Sequence, residues 1–468
     1  MKENILNYLS AFNYRSRINM QEPYPTNEDV VKKVFKMAWP STFESFFIAL
    51  ISAVDTMMVA GLGHEAISAV GVTGQPRMIL LALIMALNMG VMVVVSRRRG
   101  QGRKEEANHI LRNSIIISFV LSLVLNSLGY IFSPELLRFA GANADYIDMS
   151  IAYFRIICIG NFFYSLSLTM TAAQRGAGNT KISMTTNLSA NVVNIILNYL
   201  LINGIWIFPR LEIVGAALAT AIGNGVAFLI ALYSVSKKDS FLHLNIRQNW
   251  KITTENLKTL FTISYPSMIE QIFLRIGFFT FTKQVFELGT YASSTHQIGM
   301  TVMHMSFAIG DGLAIASTAL VGQSLGQKRY DLAKLYGKSV QHLGRIVAIT
   351  MAIIIFLTRF QIIGLFANIP QIVEPAQIVM TILSIILFFQ MSQVIAIGSL
   401  RGAGDVKFVA LLSMVSIMLI RPTLTYLLAY KLGFGIIGAW FGMFADQLIR
   451  WGVSLARYNS GKWVNFEV

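Results

Sequence analysis

Asp55 is the residue of this chain best placed to do chemistry. It stands inside the apolar stretch Ile51 to Ala60, which contains no basic residue to pair with it. A charge at the centre of a membrane helix costs roughly 2.5–3.5 kcal/mol on insertion scales, so a carboxylate retained there tends to be functional. Desolvated in that position, it can exchange a proton, ligate Na+ where other oxygens converge, or hold hydrogen bonds between helices. Its candidate partners are Asn187, Asn191, Asn194 and Asn198, whose spacing of four, three and four places all four amides on one helical face. A lone asparagine in a membrane helix is usually interhelical glue, whereas a full polar stripe points to water or a bound ligand. Gln75 and Thr220 are weaker candidates for the same cavity. The second half of the chain offers Glu270, Arg275 and Asp311 in apolar runs. Its Arg345 and Arg421, with Arg155 of the first half, complete a set of intramembrane arginines with Arg275. These arginines can snorkel, pair with Glu270 or Asp311, or bind an anionic substrate.

Such groups require elements that cross a bilayer, and the composition supplies them. Of 468 residues, 54% are hydrophobic and 13% charged, and the mean hydropathy is +0.59. A chain of this kind cannot hide its apolar surface from water, so lipid must be part of its solvent. Runs near the ~20 residues needed to span are Met37 to Gly61, Pro76 to Ser96, Ile110 to Phe132, Ile147 to Ala173, Ile182 to Asn203 and Val214 to Val235. After a polar connector come Leu260 to Val285, Ile298 to Val321, Val340 to Thr358, Ile378 to Leu400, Phe408 to Tyr430 and Ile436 to Leu455. The expected fold is an all-α polytopic membrane protein of twelve transmembrane helices. Residues 1–30 read as a cytosolic extension, with a short interfacial helix over Ile5 to Phe12 and no continuous apolar core of a signal peptide. Residues 31–236 and 259–468 read as two six-helix lobes, and 237–258 as the connector between them.

The two lobes are copies. Arg175-Gly176-Ala177-Gly178 recurs as Arg401-Gly402-Ala403-Gly404, an offset of 226 positions from 175 to 401. The same offset carries Pro40-Ser41 onto Pro266-Ser267, Glu44 onto Glu270, Gly100-Gln101 onto Gly326-Gln327 and Ala107 onto Ala333. Because each copy holds an even number of spans, both enter the membrane in the same direction, which makes a parallel repeat. Basic residues set the orientation. With the N-terminus inside, clusters such as Lys32-Lys33-Lys36, Arg97-Arg98-Arg99, Lys237-Lys238 and Lys328-Arg329 all lie on the inner side, as do Arg17 and Arg247. Only Arg138, Arg210, Arg359 and Lys431 fall in outer loops. Both termini are therefore expected in the cytoplasm. The doubled string falls in an inner loop after the fourth span of each half, where its glycines permit a tight turn.

Several function classes are disfavoured. The formal charge of +15 is distributed as topology signals between apolar runs, so nucleic acid is not an expected partner. The single cysteine, Cys158, leaves no intramolecular disulfide and no cysteine-based zinc site. His64-Glu65 lacks the second histidine of a metalloprotease helix, and paired acid/base residues on facing helices are missing, so an enzyme is not expected. The 22 methionines and 31 phenylalanines suit a cavity that accepts varied apolar cations.

From about Asp29 to Leu455 the chain resembles the multidrug and toxic compound extrusion (MATE) transporters. The resemblance rests on Val54-Asp55-Thr56 followed by Met58-Val59-Ala60-Gly61, on both Arg-Gly-Ala-Gly strings, and on Asn191-Val-Val-Asn194-Ile-Ile-Leu-Asn198-Tyr199. Ala319-Leu-Val-Gly-Gln-Ser-Leu-Gly326, Asp405 after the second string, and Arg421-Pro422 extend it. It implies two lobes forming a V, alternating access, and export driven by H+ or Na+ with no other cofactor. It also implies a first-lobe cation site at Asp55 with Asn194 and Asn198, where some members carry Asp at the last position. A Na+-coupled branch adds second-lobe carboxylates on helices seven and ten. Here helix ten offers Gln390, Ser392 and Gln393, so the first lobe is expected to carry the coupling. The expected protein is a monomeric exporter of organic-cation or amphiphilic drugs in the cytoplasmic membrane. The alternative is a flippase for a lipid-linked saccharide or cell-wall precursor, which would gather several of the four arginines at one cavity.

Overall fold

The computed structural model describes residues 2–15, 18, 20–238, 240–245, 250–251, 253–367 and 369–466. Side chains 2, 53, 56, 60, 64 and 465 lie outside that description, as do Arg17 and Arg247 entirely. The described chain is helical throughout and has no strand. Two short helices, α1 (Lys2–Leu9) and α2 (Phe12–Arg15), precede α3 (Asn27–Ala60), α4 (His64–Gly100), α5 (Lys104–Ile131), α6 (Ser133–Phe139), α7 (Ile147–Gly176), α8 (Thr180–Asn203) and α9 (Glu212–Ser236). The second half contains α10 (Thr254–Glu287), α11 (Thr290–Gly326), α12 (Tyr330–Gly364) and α13 (Pro370–Gly402). A broken helix then runs as α14 (Val406–Met414), a π turn at Val415–Ile420, α15 (Arg421–Thr425) and a second π turn at Tyr426–Lys431; α16 (Gly435–Asn459) follows.

Leaving out α1, α2 and α6, and counting the broken helix once, the long helices number twelve. Among the described residues nine of these are long and apolar enough to cross a membrane. The other three, α8, α10 and α16, are those diluted by the asparagine stripe, by Glu270 and Arg275, and by Asp446 and Arg450.

Helix boundaries repeat the offset of 226 seen in the sequence. α4 and α11 match at both ends, 64 to 290 and 100 to 326, and α7 and α13 share their last residue, 176 to 402. Backbone specials repeat as well. Gly63 (φ 109°) matches Gly289 (φ 103°), and Gly178 (φ 88°) matches Gly404 (φ 90°). Prolines 40 and 266 interrupt the hydrogen-bond ladders of α3 and α10 at equivalent places.

Two compact units result. One comprises Phe43–Tyr265, the other Met1–Thr42 with Pro266–Val468. In the first, α7 is the hub, packed on α4, α5 and α9; in the second, α13 holds the same place against α11, α12 and α16. Residues 31–42, read from the sequence as the start of the first lobe, thus fall in the unit built from the second half. There Val30, Val34 and Met37 of α3 pack in one buried cluster with Leu313, Leu320 and Leu335. The extension before them is also docked. Tyr8 stacks on His342 of α12 with centroids 4.4 Å apart, and the Tyr8 carbonyl lies 2.6 Å from His342 Nδ1. The Arg329 guanidinium donates to Gln21 O at 2.6 Å.

The doubled string can be accounted for residue by residue. A Cβ on Gly176 would stand 2.5 Å from Met92 O of α4, and one on Gly402 would stand 2.3 Å from Thr318 O of α11. Met92 and Thr318 are themselves 226 apart, so the first glycine of each string allows the same close crossing. The second glycine makes the left-handed turn that ends the helix, its N–H bonding Arg175 O at 3.0 Å and Arg401 O at 2.9 Å respectively. Each arginine ion-pairs with the glutamate of its own unit, Arg175 with Glu44 and Arg401 with Glu270. The strings are structural.

Candidate functional site

Asp55 lies about one and a half turns from the end of α3 and is half-buried. Asn198 of α8 donates to Asp55 Oδ1 at 2.8 Å. With the Asn194 amide oriented so that its oxygen faces Thr220, its nitrogen stands 2.9 Å from Asp55 Oδ1 and 3.2 Å from Oδ2. That orientation is the one assigned for an ionised Asp55, because an ionised carboxylate only accepts. Thr220 Oγ1 of α9 meets the Asn194 amide at 3.2 Å. Three helices therefore converge on one carboxylate. α8 can do this because a spacing of four residues stacks Asn194 over Asn198 on one face. Both amides are buried, 5% and 2% exposed, so their donors have little water to compete for them.

Among the described residues Asp55 has no ion-pair partner within 4 Å. A cation nevertheless lies within electrostatic reach, Arg77 of α4, which also acts on buried Tyr153 of α7. Arg77 Nε donates to Asn161 Oδ1 at 3.2 Å, which ties it to α7. Arg77, Asn161 and Tyr153 were not singled out from the sequence. For Arg77 the signal was available, since it is a lone arginine beside Pro76 in an otherwise apolar run.

The other expected members of the site are not at Asp55. Asn187, on the same face of α8, donates instead to Glu44 Oε1, joined there by Ser183 Oγ at 2.9 Å and by Arg175. Asn191 lies between the two groups, half-exposed and with no hydrogen bond among the described residues. Gln75 is exposed. In the other unit, Glu270 accepts from Arg401 at 2.8 and 2.9 Å and from Ser413 at 2.8 Å. Ser413 is Asn187 advanced by 226, so this cluster is the duplicate of the one at Glu44. Arg275 of α10 is half-buried, with its Nε unpartnered.

The second unit has its own ionic centre, and the sequence reading did not find its acid. Asp446 of α16, fully buried, accepts from Arg421 Nε at 3.0 Å and from Arg450 at 3.3 Å. Ser416 and Gln447 complete the network. Arg421 also lies over the rings of Phe278 and Phe281 at 5.2 and 5.6 Å. Arg421 pairs therefore with Asp446, and neither Glu270 nor Asp311 fills that place. No group of three or more His, Cys, Asp or Glu able to hold a metal ion occurs among the described residues. The protein oxygens nearest a cation at Asp55 would be its own carboxylate, the Asn amide oxygens and Thr220 Oγ1.

Known proteins match this architecture over nearly its whole length. The probable multidrug resistance protein NorM of Thermotoga maritima is 27% identical over 439 residues, covering 93% of each chain. The uncharacterized transporter YisQ of Bacillus subtilis is 26% identical over 438 residues, covering 93% of this chain and 96% of its own. Among solved structures, an outward-facing multidrug resistance MATE transporter superposes with a TM-score of 0.86 at 20% identity, over 92% of this chain and 96% of its own. A Vibrio cholerae MATE transporter, VcmN, gives 0.86 at 19% identity over 92% of this chain and 97% of its own. The MatE family model matches twice, at residues 40–200 and 266–427, and so falls on the two copies already marked by the 226-residue offset. With the duplicated bundle, the twelve long helices and both family matches in register, this chain belongs to the MATE family of multi-pass membrane transporters.

Proposed function

We propose that the protein exports amphiphilic organic cations across the cytoplasmic membrane by alternating access, in exchange for protons taken up at Asp55. The observation that carries the reading is a half-buried carboxylate that has no ion-pair partner among the described residues and is held by two buried amides from one helix. Hydrogen-bond donors aimed at a carboxylate favour its ionised form, and burial favours its neutral form. A group balanced between the two changes protonation when its surroundings change, which is what a coupling site must do. Asn198 presents nitrogen to Asp55, as does Asn194 when the carboxylate is ionised, and nitrogen donors repel a metal cation, which favours a proton over Na+. Sodium would require the amides to turn their oxygens inward.

The positive-inside distribution of Lys and Arg supports cytoplasmic termini and export toward the opposite side. The similarity to multidrug resistance proteins supports drug-like substrates. For the flippase alternative no observation gathers the arginines: Arg421 is neutralised by Asp446, and Arg155 belongs to the other unit, where it bonds Ser133.

The test is ethidium or norfloxacin efflux by Asp55→Asn in cells lacking their own pumps, with transport in proteoliposomes under separately imposed pH and Na+ gradients. Loss of efflux at equal expression and drive by the pH gradient are expected. Undiminished efflux would overturn the role of Asp55, and drive by Na+ alone would overturn the proton.

A further inference from the structure

Arg155 lies two turns into α7, at the α6 end of its unit, and nothing in the coupling site uses it. Its Nε donates to Ser133 Oγ at 3.0 Å, and its guanidinium lies 5.2 Å from the centre of the Tyr130 ring. Among the described residues it has no carboxylate partner. It is also not part of the duplicated scaffold, since the matching position 226 residues on is Thr381. An arginine at this depth in an apolar helix is costly unless an anion meets it.

Directly beside it runs a groove of about 410 Å³ between α5 and α7, lined by Leu123, Asn126, Tyr130, Cys158, Ile159 and Phe162 among others. Arg155, Cys158, Ile159 and Phe162 follow a spacing of three, four and seven, so the cation and the groove wall share one face of α7. Leu123, Asn126 and Tyr130 do the same on α5. The wall is open to the outside of the bundle: Leu123 is 49% and Ile159 56% exposed. From 123 to 130 the helix rises ~10 Å, enough for roughly half of an acyl chain.

We propose that this groove binds one anionic phospholipid, with its phosphate on the Arg155 fork and an acyl chain along the α5–α7 seam. The guanidinium suits a phosphate because its parallel N–H groups meet two oxygens at once, and it is already held at Nε by Ser133 and over the Tyr130 ring. The apolar length of the groove then selects a lipid over a soluble phosphate. This site is independent of the coupling reading at Asp55.

The experiment uses the full-length protein, delipidated in a nonionic detergent, with bound lipid counted by native mass spectrometry and thermal stability followed by intrinsic fluorescence. Phosphatidylglycerol is expected to give one retained molecule and a higher melting temperature, phosphatidylcholine at least tenfold weaker retention, and glycerol phosphate no effect. Arg155→Gln should erase the preference for phosphatidylglycerol over phosphatidylcholine, while Arg138→Gln, at an exposed residue of α6, should leave it intact. Ile159→Trp keeps the cation and fills the groove, so it should cut retention of both lipids; this second variant decides the matter if Arg155→Gln fails to fold. Unchanged lipid preference in Arg155→Gln, unchanged retention in Ile159→Trp, or glycerol phosphate binding as well as the lipid would each overturn the proposal.

Discussion

At the scale of single residues, two aspartates, one in each unit, are met in opposite ways. Asp446 is met by two guanidiniums, whereas Asp55 is met by amides alone. The first arrangement makes a rigid fixture and the second a group whose charge state can change. Removing one partner from a buried ion pair costs about 3–5 kcal/mol because the survivor is left uncompensated. Asp446→Leu with Arg421 and Arg450 retained is therefore expected to lower the melting temperature sharply, and Asp446→Leu combined with Arg421→Met and Arg450→Met to recover much of the loss. A triple variant as unstable as the single one would show that the charges are needed for more than mutual neutralisation. At Asp55, the amides should act on coupling and leave the fold intact. A hydrogen bond to a charged group contributes ~1.5–3 kcal/mol, so Asn198→Ala should weaken efflux on the order of tenfold or more, with a fall in melting temperature smaller than that of the single Asp446 variant. Asn191→Ala, which removes no hydrogen bond among the described residues, should leave efflux near wild type. Equal effects of the two alanines would mean that the whole stripe, and not the pair at Asp55, is the working face.

At the scale of elements, the duplicated strings act as joints. The first glycine of each brings two helices into backbone contact, and the second ends a helix with a left-handed turn. Gly176→Ala and Gly402→Ala push a methyl against a backbone carbonyl that cannot move aside, so both should lose stability strongly and to a similar extent. Gly178→Ala and Gly404→Ala impose only a left-handed residue with a Cβ, which costs ~1–2 kcal/mol. Melting temperatures of the four variants would order them, and a milder effect at 176 and 402 than at 178 and 404 would contradict the packing account. The broken helix after Asp405 shows how an element adapts to a buried charge. Pro422 has no N–H to donate, and the ladder widens into π turns on either side of it. Arg421 stands at that interruption and reaches Asp446 of α16.

For the molecule as a whole, the parallel repeat and the charge distribution make a joint statement about topology. The end of α4, the start of α5, the loop after α11 with Lys328 and Arg329, and the start of α12 carry the basic residues, so the loops at Gln101 and Gln327 should face the cytoplasm. Asn143 and Ile207 lie in the opposite loops. Ile207 is 91% exposed. After Cys158→Ser, single cysteines at these four positions should react with a membrane-impermeant maleimide in intact cells only at 143 and 207. Labelling of 101 and 327 instead would invert the orientation and with it the direction of export.

What the sequence by itself determined is whatever repeats or alternates along the chain. The apolar runs, the 226-residue offset and the spacing of the asparagines are periodic, and periodicity survives without knowledge of contacts. That was enough to mark an all-α duplicated bundle, to single out Asp55, and to place Asn194 and Asn198 on one face. Only the tertiary structure decided which polar groups meet. The asparagine stripe is continuous in sequence, but Asn187 turns to Glu44 and Asn194 and Asn198 to Asp55, because α3 runs alongside α8 and its two acids, spaced like Asn187 and Asn198, each meet a different turn. Glu270 matched Glu44 in the sequence, yet its arginine lay 131 residues away in the doubled string. Asp446 gave no sign of pairing with Arg421, and Arg77 none of its reach to Asp55. A buried charge chooses its partner through space at distances of about 3 Å, and that choice leaves no period in the chain.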